Sequence, residues 1–272
     1  MEESAISAGA GDAVGGEVLL SRHGPVALVT LNRPGIGNAI DRALARRLLD
    51  VALTCAGDET IRCVVLTGAG RMFCAGGDVN AFATAGNAMP GLVAELTAFL
   101  NATISRLMRM SKPLVTAING PAAGAGLGLA LMGDVALAGS GSSFSTAYRG
   151  IGLTPDGGAT WMLPRLVGLR RAQEIALTDR RLSAAEAAEI GLVTRVVDGE
   201  ALLEKALETA QHLAASAIGA LAGTRELLHA SHGASLEGHL EMEAGMIARA
   251  AATDDARRLI AEFISRKSTA TR

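Results

Sequence analysis

The chain reads as an α/β protein, with an alternating strand–helix core over residues 17–199 and a helical region over 200–272. Three observations carry this. Short continuous apolar runs, bounded by glycine or proline, recur through the first two thirds and have the form of strands buried on both faces. Longer stretches between them repeat apolar residues three and four apart, the helical period. Beyond Glu200 only the helical period remains. Apolar residues make up 49% of the 272 and charged residues 19%, which supplies a large core and excludes a disordered chain.

Residues 1–16 are rich in Ala, Gly and Ser, with acids at Glu2, Glu3 and Asp12 and no basic residue. They read as a disordered tail, since a signal peptide opens with Lys or Arg. Residues 17–22 and 25–31 read as two short strands around a turn at His23-Gly24. Leu44, Leu48 and Leu49 give 41–56 a helical stripe, with Asp41 as its cap. Cys63-Val64-Val65-Leu66-Thr67 is a buried strand, ended by Gly68-Ala69-Gly70. Residues 81–91 read as a loop leading into a helix that runs to Met110. A second buried strand covers 114–118, a helix opens near Ala125, and strands follow at 134–138 and 192–197. Helical spacing then covers 202–215, 218–228, 236–252 and 255–263, four helices suited to capping the core or docking on another subunit. The uncharged stretch 113–133 has the length of a membrane span, but Asn119-Gly120-Pro121 and the glycines at 124, 126 and 128 break it into strand, turn and helix. No membrane association is expected.

Composition narrows function as well. With 25 Lys+Arg against 27 Asp+Glu, the formal charge of -2 provides no basic face for nucleic acid. Aromatics at 3% offer few platforms for stacking bases. Cys55, Cys63 and Cys74 lack metal-site spacing and read as reduced thiols of a cytoplasmic protein. Gly124-Ala125-Gly126-Leu127-Gly128 starts like a dinucleotide fingerprint, but its third glycine falls one residue early. Neither a phosphate-binding Gly-Lys-Ser/Thr nor a Gly-x-Ser-x-Gly elbow occurs. No histidine lies between His23 and His212, which argues against a Ser-His or Cys-His pair at the centre of the core and removes most zinc arrangements. No metal is expected. Two glycine-rich strand–turn–helix junctions remain, at 71–78 and 119–126. Such turns let backbone approach a ligand closely and leave N–H groups free, which suits negative charge developing on a carbonyl oxygen. The same glycines also serve close strand–helix packing, and at this point both readings stand.

The string Leu31-Asn32-Arg33-Pro34-Gly35-Ile36-Gly37-Asn38-Ala39-Ile40 resembles the first signature of the enoyl-CoA hydratase/isomerase, or crotonase, superfamily. Phe73-Cys74-Ala75-Gly76-Gly77-Asp78-Val79 resembles its second. Ala117-Ile118-Asn119-Gly120, with the glycine-rich helix start and Asp134-Val135-Ala136, resembles its third. Thr154-Pro155-Asp156-Gly157-Gly158, Leu163-Pro164-Arg165-Leu166-Val167-Gly168 and residues 184–197 continue the match. The resemblance spans 17–267 in the family's order. It implies a crotonase-like spiral of ββα units with a helical C-terminal trimerisation region, assembled as a homotrimer or dimer of trimers. It also implies acyl-CoA thioester substrates, with coenzyme A part of the substrate and no separate cofactor. The two oxyanion-hole amides fall on Gly77 and Ala125, and the carbonyl that receives the adenine amino group falls on Ala75. Gly76, Asp78, Val79 and Gly126 flank these as substrate contacts. Arg33 is a further candidate near the CoA phosphates. Phe263, Arg266 and Lys267 match a C-terminal helix that reaches the CoA, often from the adjacent subunit. For each basic residue a solvated surface charge is the other reading.

Hydratases of this family add water with two glutamates, and the alignment puts these positions at Gly128 and Tyr148. Neither is acidic. Without a carboxylate pair nothing evident activates water on one side and protonates carbon on the other. Asp156 remains. In the branch resembling 1,2-epoxyphenylacetyl-CoA isomerase and certain Δ3,Δ2-enoyl-CoA isomerases, the base is an aspartate in a Pro-Asp-x-Gly setting, which 155–158 matches. One base suffices for a double-bond shift, because it takes a proton from one carbon and returns it to another. Burial among Ile151, Leu153 and Trp161 would raise its pKa. The other reading of Asp156 is a cap for a helix beginning near Gly157. Asp78 reads as a cap more than a base, and Glu95 as a surface acid or a second candidate base. Tyr148 reads as a pocket wall or hydrogen-bond donor, and Trp161 as core packing. The expectation is a double-bond or ring isomerase working through a stabilised enolate. The alternatives are a non-catalytic acyl-CoA-binding homologue and a hydratase with atypical catalytic groups. A family dehalogenase needs a histidine that this core lacks.

Overall fold

The computed structural model describes residues 16–270, and side chains as far as Arg266. The expected tail at 1–16 therefore falls, Gly16 apart, outside the described residues, as does the Lys267 side chain. In chain order the strands are β1 (Val18–His23), β2 (Val26–Leu31), β3 (Cys63–Gly68), β4 (Leu114–Ile118), β5 (Ala122–Ala123), β6 (Val135–Gly139), β7 (Ser143–Ser145), β8 (Leu182–Ser183) and β9 (Arg195–Val197). The larger sheet has the order β1-β2-β3-β4-β6-β9, with β1 antiparallel to β2 and every later pairing parallel. Each parallel step returns through a helix, which generates the expected spiral. A small sheet, β5-β7-β8, lies beside it.

Strand residues divide by parity between two cores, as a period of two requires. Ala27, Val29, Leu31, Val64, Leu66, Leu114 and Ile118 face one side of the sheet. Val26, Leu28, Cys63, Val65, Val115 and Ala117 face the other. Helices α1 (Arg42–Gly57), α2 (Val79–Ala85), α3 (Met89–Arg109), α4 (Ala125–Leu131), α5 (Ala159–Val167), α6 (Leu169–Thr178) and α7 (Ala184–Glu189) pack on the first side. The α1 cap is Asp41, which accepts from the Leu44 amide at 2.9 Å. Helix α8 (Leu202–Ala214) closes the second side with Leu202, Ala206, Ala210 and Ala214, one residue per turn. The first helix past residue 200 thus completes the core.

Three more helices follow: α9 (Ile218–Ala230), α10 (Leu236–Ala251) and α11 (Asp254–Ala270). Arg225 stitches α9 to the core, pairing with Asp134 at 2.7 Å and donating to the carbonyls of Leu107, Met110 and Lys112. By contrast α10 buries nothing, and Leu236, Leu240, Ile247, Ile260 and Phe263 are exposed.

Three expectations are corrected. Residues 81–91 are not a loop: α2 reaches Ala85 and α3 starts at Met89, with Gly86, Asn87 and Ala88 in a tight turn between them. The last strand is shorter than 192–197, because Leu192 and Val193 turn inward under α7 and their amides donate to the Ala187 carbonyl. Trp161 is not core: Met162 and Leu163 take the buried side of α5, and the half-exposed indole stacks on the Arg165 guanidinium, 4.0 Å away.

Candidate active site

The two glycine-rich turns meet. The first runs from β3 to α2 and carries Ala75, Gly76 and Gly77; the second links β5 to α4 and carries Gly124 and Ala125. Short bridges fix them, one pairing Cys74 with Ala122 and another pairing Ile40 with Gly77. The contact between the turns is backbone on backbone. A Cβ on Gly76, whose φ is +94°, would stand 2.8 Å from the Ala123 carbonyl oxygen and 3.3 Å from the Ala125 nitrogen. Glycine is needed here for both space and conformation.

The amides of Gly77 and Ala125 have no acceptor among the described residues. Both residues line a cavity of about 200 Å³ together with Ala75, Tyr148 and Asp156. Phe82, Val93, Ile151 and Leu153 supply its apolar wall, with Val79 and Ile151 exposed at its mouth. Two unsatisfied N–H donors held by secondary structure form a ready receptor for an oxyanion.

Asp156 reaches this cavity from the loop before α5. Its neighbour Gly157 packs directly on the second turn, where a Cβ would lie 3.5 Å from the Ala125 Cα. The Tyr148 hydroxyl donates to Asp156 Oδ1 at 2.5 Å. Burial pushes the Asp156 carboxyl above the usual carboxylate range, and the Tyr148 hydrogen bond pulls it part of the way back. Burial and the adjacent carboxylate raise the phenol far above its ordinary value. Tyr148 and Asp156 bear the only ionisable side chains among the described residues of this lining. The capping alternative for Asp156 fails: α5 begins at Ala159, its N-cap is Gly158, and no side chain caps it.

The position matched to a first hydratase glutamate is closed. All of α4 is buried, and a Cβ on Gly128 would stand 2.1 Å from the Gly157 carbonyl oxygen. No side chain fits there while the Asp156 loop keeps its course.

The remaining sequence candidates divide. Asp78 caps α2, accepting from the amides of Asn80 and Ala81. Gly126 packs under the first turn, where its Cβ would strike the Cys74 carbonyl. Arg33 does not line the cavity: its guanidinium lies 2.9 Å from Asp41 and 3.7 Å from Asp78 and donates to the Ala39 carbonyl. Glu95 does not line it either, because it pairs with Arg42 at 2.7 Å on the outer side of α3. Phe263 and Arg266 lie on α11, which contributes nothing to the described lining; Arg266 sits 3.8 Å from Glu262. Two features escaped the sequence reading. One is the Tyr148–Asp156 hydrogen bond and the other is the Gly128–Gly157 contact, each joining segments by tertiary folding alone.

Comparison with known proteins finds relatives along most of the chain. The family model described as enoyl-CoA hydratase/isomerase matches residues 21–270. The 1,2-epoxyphenylacetyl-CoA isomerase of Escherichia coli (strain K12) is 36% identical, over 89% of this chain and 93% of the relative. The 2,3-dehydroadipyl-CoA hydratase of the same organism is 34% identical, over 93% and 97%. The crystal structure of an enoyl-CoA hydratase from Polaromonas sp. JS666 superposes with a TM-score of 0.88 at 31% identity, covering 92% of this chain and 98% of that one. With a crotonase fold, two free amides at the matched turns and a family match along nearly its whole length, the chain belongs to the enoyl-CoA hydratase/isomerase family.

Proposed function

We propose that the protein is an acyl-CoA isomerase that shifts a double bond, or opens a strained ring, through an enolate with Asp156 as its single base. One observation carries the reading: among the described residues, the cavity that holds the two free amides holds one carboxylate, while the matched glutamate positions bear Gly128 and Tyr148. The thioester oxygen accepts from the Gly77 and Ala125 N–H groups. Asp156 takes a proton from the carbon next to the carbonyl, and the electron pair left behind moves into the carbonyl as an enolate. For a 3-enoyl thioester the charge extends to C4, and the same carboxyl returns its proton there. Each amide is worth about 2.7–4 kcal/mol of barrier, by analogy with single oxyanion donors. The aliphatic and aromatic wall suits an uncharged acyl group, and the carbonyl of Ala75, a lining residue, accepts from none of the described residues and suits an adenine amino group.

A thioester panel tests this. Conversion of 3-enoyl-CoA to 2-enoyl-CoA, or of a ring-strained acyl-CoA, is expected without appreciable hydration of crotonyl-CoA. Hydration at ordinary enzymatic rates, about 1–10³ per second, would restore the hydratase reading. Tight acyl-CoA binding with no turnover on any thioester would establish the non-catalytic one.

Assembly as a trimer or dimer of trimers belongs to the same proposal, with Phe263, Arg266 and Lys267 reaching a neighbour's CoA. The apolar residues that α10 and α11 expose support it, since such faces are covered in assembled proteins. Sedimentation at micromolar concentration is expected to give a trimeric or hexameric mass. A stable monomer would refute it.

A further inference from the structure

We propose that Tyr148 is a positioning residue for the reaction, holding Asp156 by one oxygen so that the other faces the acyl group. The inference rests on the reading of Asp156 as the base. The two side chains meet at 2.5 Å, the short end of the range for a hydroxyl donating to a carboxylate. The Tyr148 bond goes to Oδ1, and no hydrogen bond from another residue reaches Oδ2 among the described residues.

The phenol is itself aimed by a strained backbone. Ala147, the residue before it, has φ +54°, a left-handed conformation that a residue with a Cβ adopts only when its surroundings impose it. Asp179 imposes it. Its Oδ1 accepts from the Ala147 amide at 2.5 Å and from the Thr146 hydroxyl at 2.9 Å. On the other side the Tyr148 carbonyl accepts from the Ile151 and Leu153 amides. The ring is 8% exposed and forms part of the cavity lining. A wall residue needs none of this: apolar packing would fill the same volume without strain or a short hydrogen bond.

The arrangement has a signature in pH. A carboxylate that accepts from a phenol is easier to ionise than the same carboxylate without it. From α2, α3 and α4 the residues lining the cavity beside the pair are Val79, Phe82, Val93, Thr97 and Ala125, none of them charged. The only other titratable group acting on it is the Cys74 thiol, which burial pushes up to about 12 and so keeps neutral. Asp156 titration in the free enzyme is therefore set first by burial, which raises it, and then by the Tyr148 hydrogen bond and a backbone amide, which lower it, with Tyr148 the one side chain among these causes.

Tyr148→Phe in the full chain, assayed on the thioester that the parent isomerises, tests this. KM is expected to hold within a small factor while kcat falls roughly tenfold or more, with the acid limb of the pH profile moved to higher pH. Incorporating difluorotyrosine at 148 makes the phenol a stronger donor, so the acid limb should move to lower pH; this arm decides the matter if the Phe variant does not fold. An unchanged kcat and acid limb, or a raised KM at unchanged kcat, would make Tyr148 a wall or substrate contact and overturn the proposal. Asp156→Asn, run alongside, separates the two readings. An active Asn variant removes the base itself, whereas an inactive one beside an unaffected Phe variant removes only the positioning role.

Discussion

Asp156→Asn is expected to lower isomerase turnover by about 10²–10⁴-fold while leaving acyl-CoA affinity in place, the range set by losing a general base. The substitution is nearly isosteric, and the amide oxygen still accepts from the Tyr148 hydroxyl. Stability should move the other way. Burial raises the folded-state pKa of Asp156 above its ordinary 3.8. A carboxyl shifted in that direction supports the fold below its unfolded pKa, and this support is lost as pH rises through the folded value. At neutral pH the ionised group therefore opposes folding, and the neutral amide does not. The Asn variant should be at least as thermostable as the parent at pH 7, with the difference shrinking as the carboxyl becomes protonated. Exchange of solvent deuterium into the substrate carbon should fall with turnover. A folded Asn variant that still exchanges would put the base elsewhere.

Gly128→Glu is the second large effect, and it separates steric exclusion from simple absence of a catalytic group. Restoring an acid at a matched hydratase position would be expected to restore water addition if only the group were missing. The structure gives the opposite expectation, because the new Cβ meets the Gly157 backbone at 2.1 Å inside a fully buried helix. Overpacking and an unpaired buried carboxylate together should cost about 3 kcal/mol or more. The melting temperature should fall by roughly 6–12 °C, or the protein should not accumulate in folded form. Loss of isomerase activity should accompany this, since displacing Gly157 displaces Asp156. A stable variant that hydrates crotonyl-CoA would show that the Asp156 loop yields.

What was legible in the sequence followed local rules. The continuous runs at Cys63 and Leu114 are strands because a sheet covered on both faces needs apolar residues at every position. The Asp41 and Asp78 caps were likewise readable from residue type and place. Errors arose where local signals compete. Gly86, Pro90 and Gly91 punctuate 81–91 heavily enough to suggest a loop, yet α2 ends and α3 begins within a few residues of one another. Leu192 and Val193 are buried, which a strand and an inward turn achieve equally well. Arg33 looked available to phosphates because its partners, Asp41 and Asp78, approach it only when the chain has folded. In the site, glycine content marked the two junctions, and the family resemblance, not spacing, put the amides at Gly77 and Ala125. No periodicity connects Tyr148 to Asp156 or Gly128 to Gly157, so these two contacts appear only in three dimensions.

The division of labour between main chain and side chain bears on how such a protein changes over evolutionary time. The proposed oxyanion receptor consists of peptide N–H groups held where two turns abut, and of all replacements only one by proline removes such a donor. The proposed proton-handling half consists of two side chains, at 148 and 156, each within reach of single-nucleotide replacement. A lineage can thus explore new reactions by exchanging its acid–base groups while the costly step, holding charge on a thioester oxygen, is inherited intact.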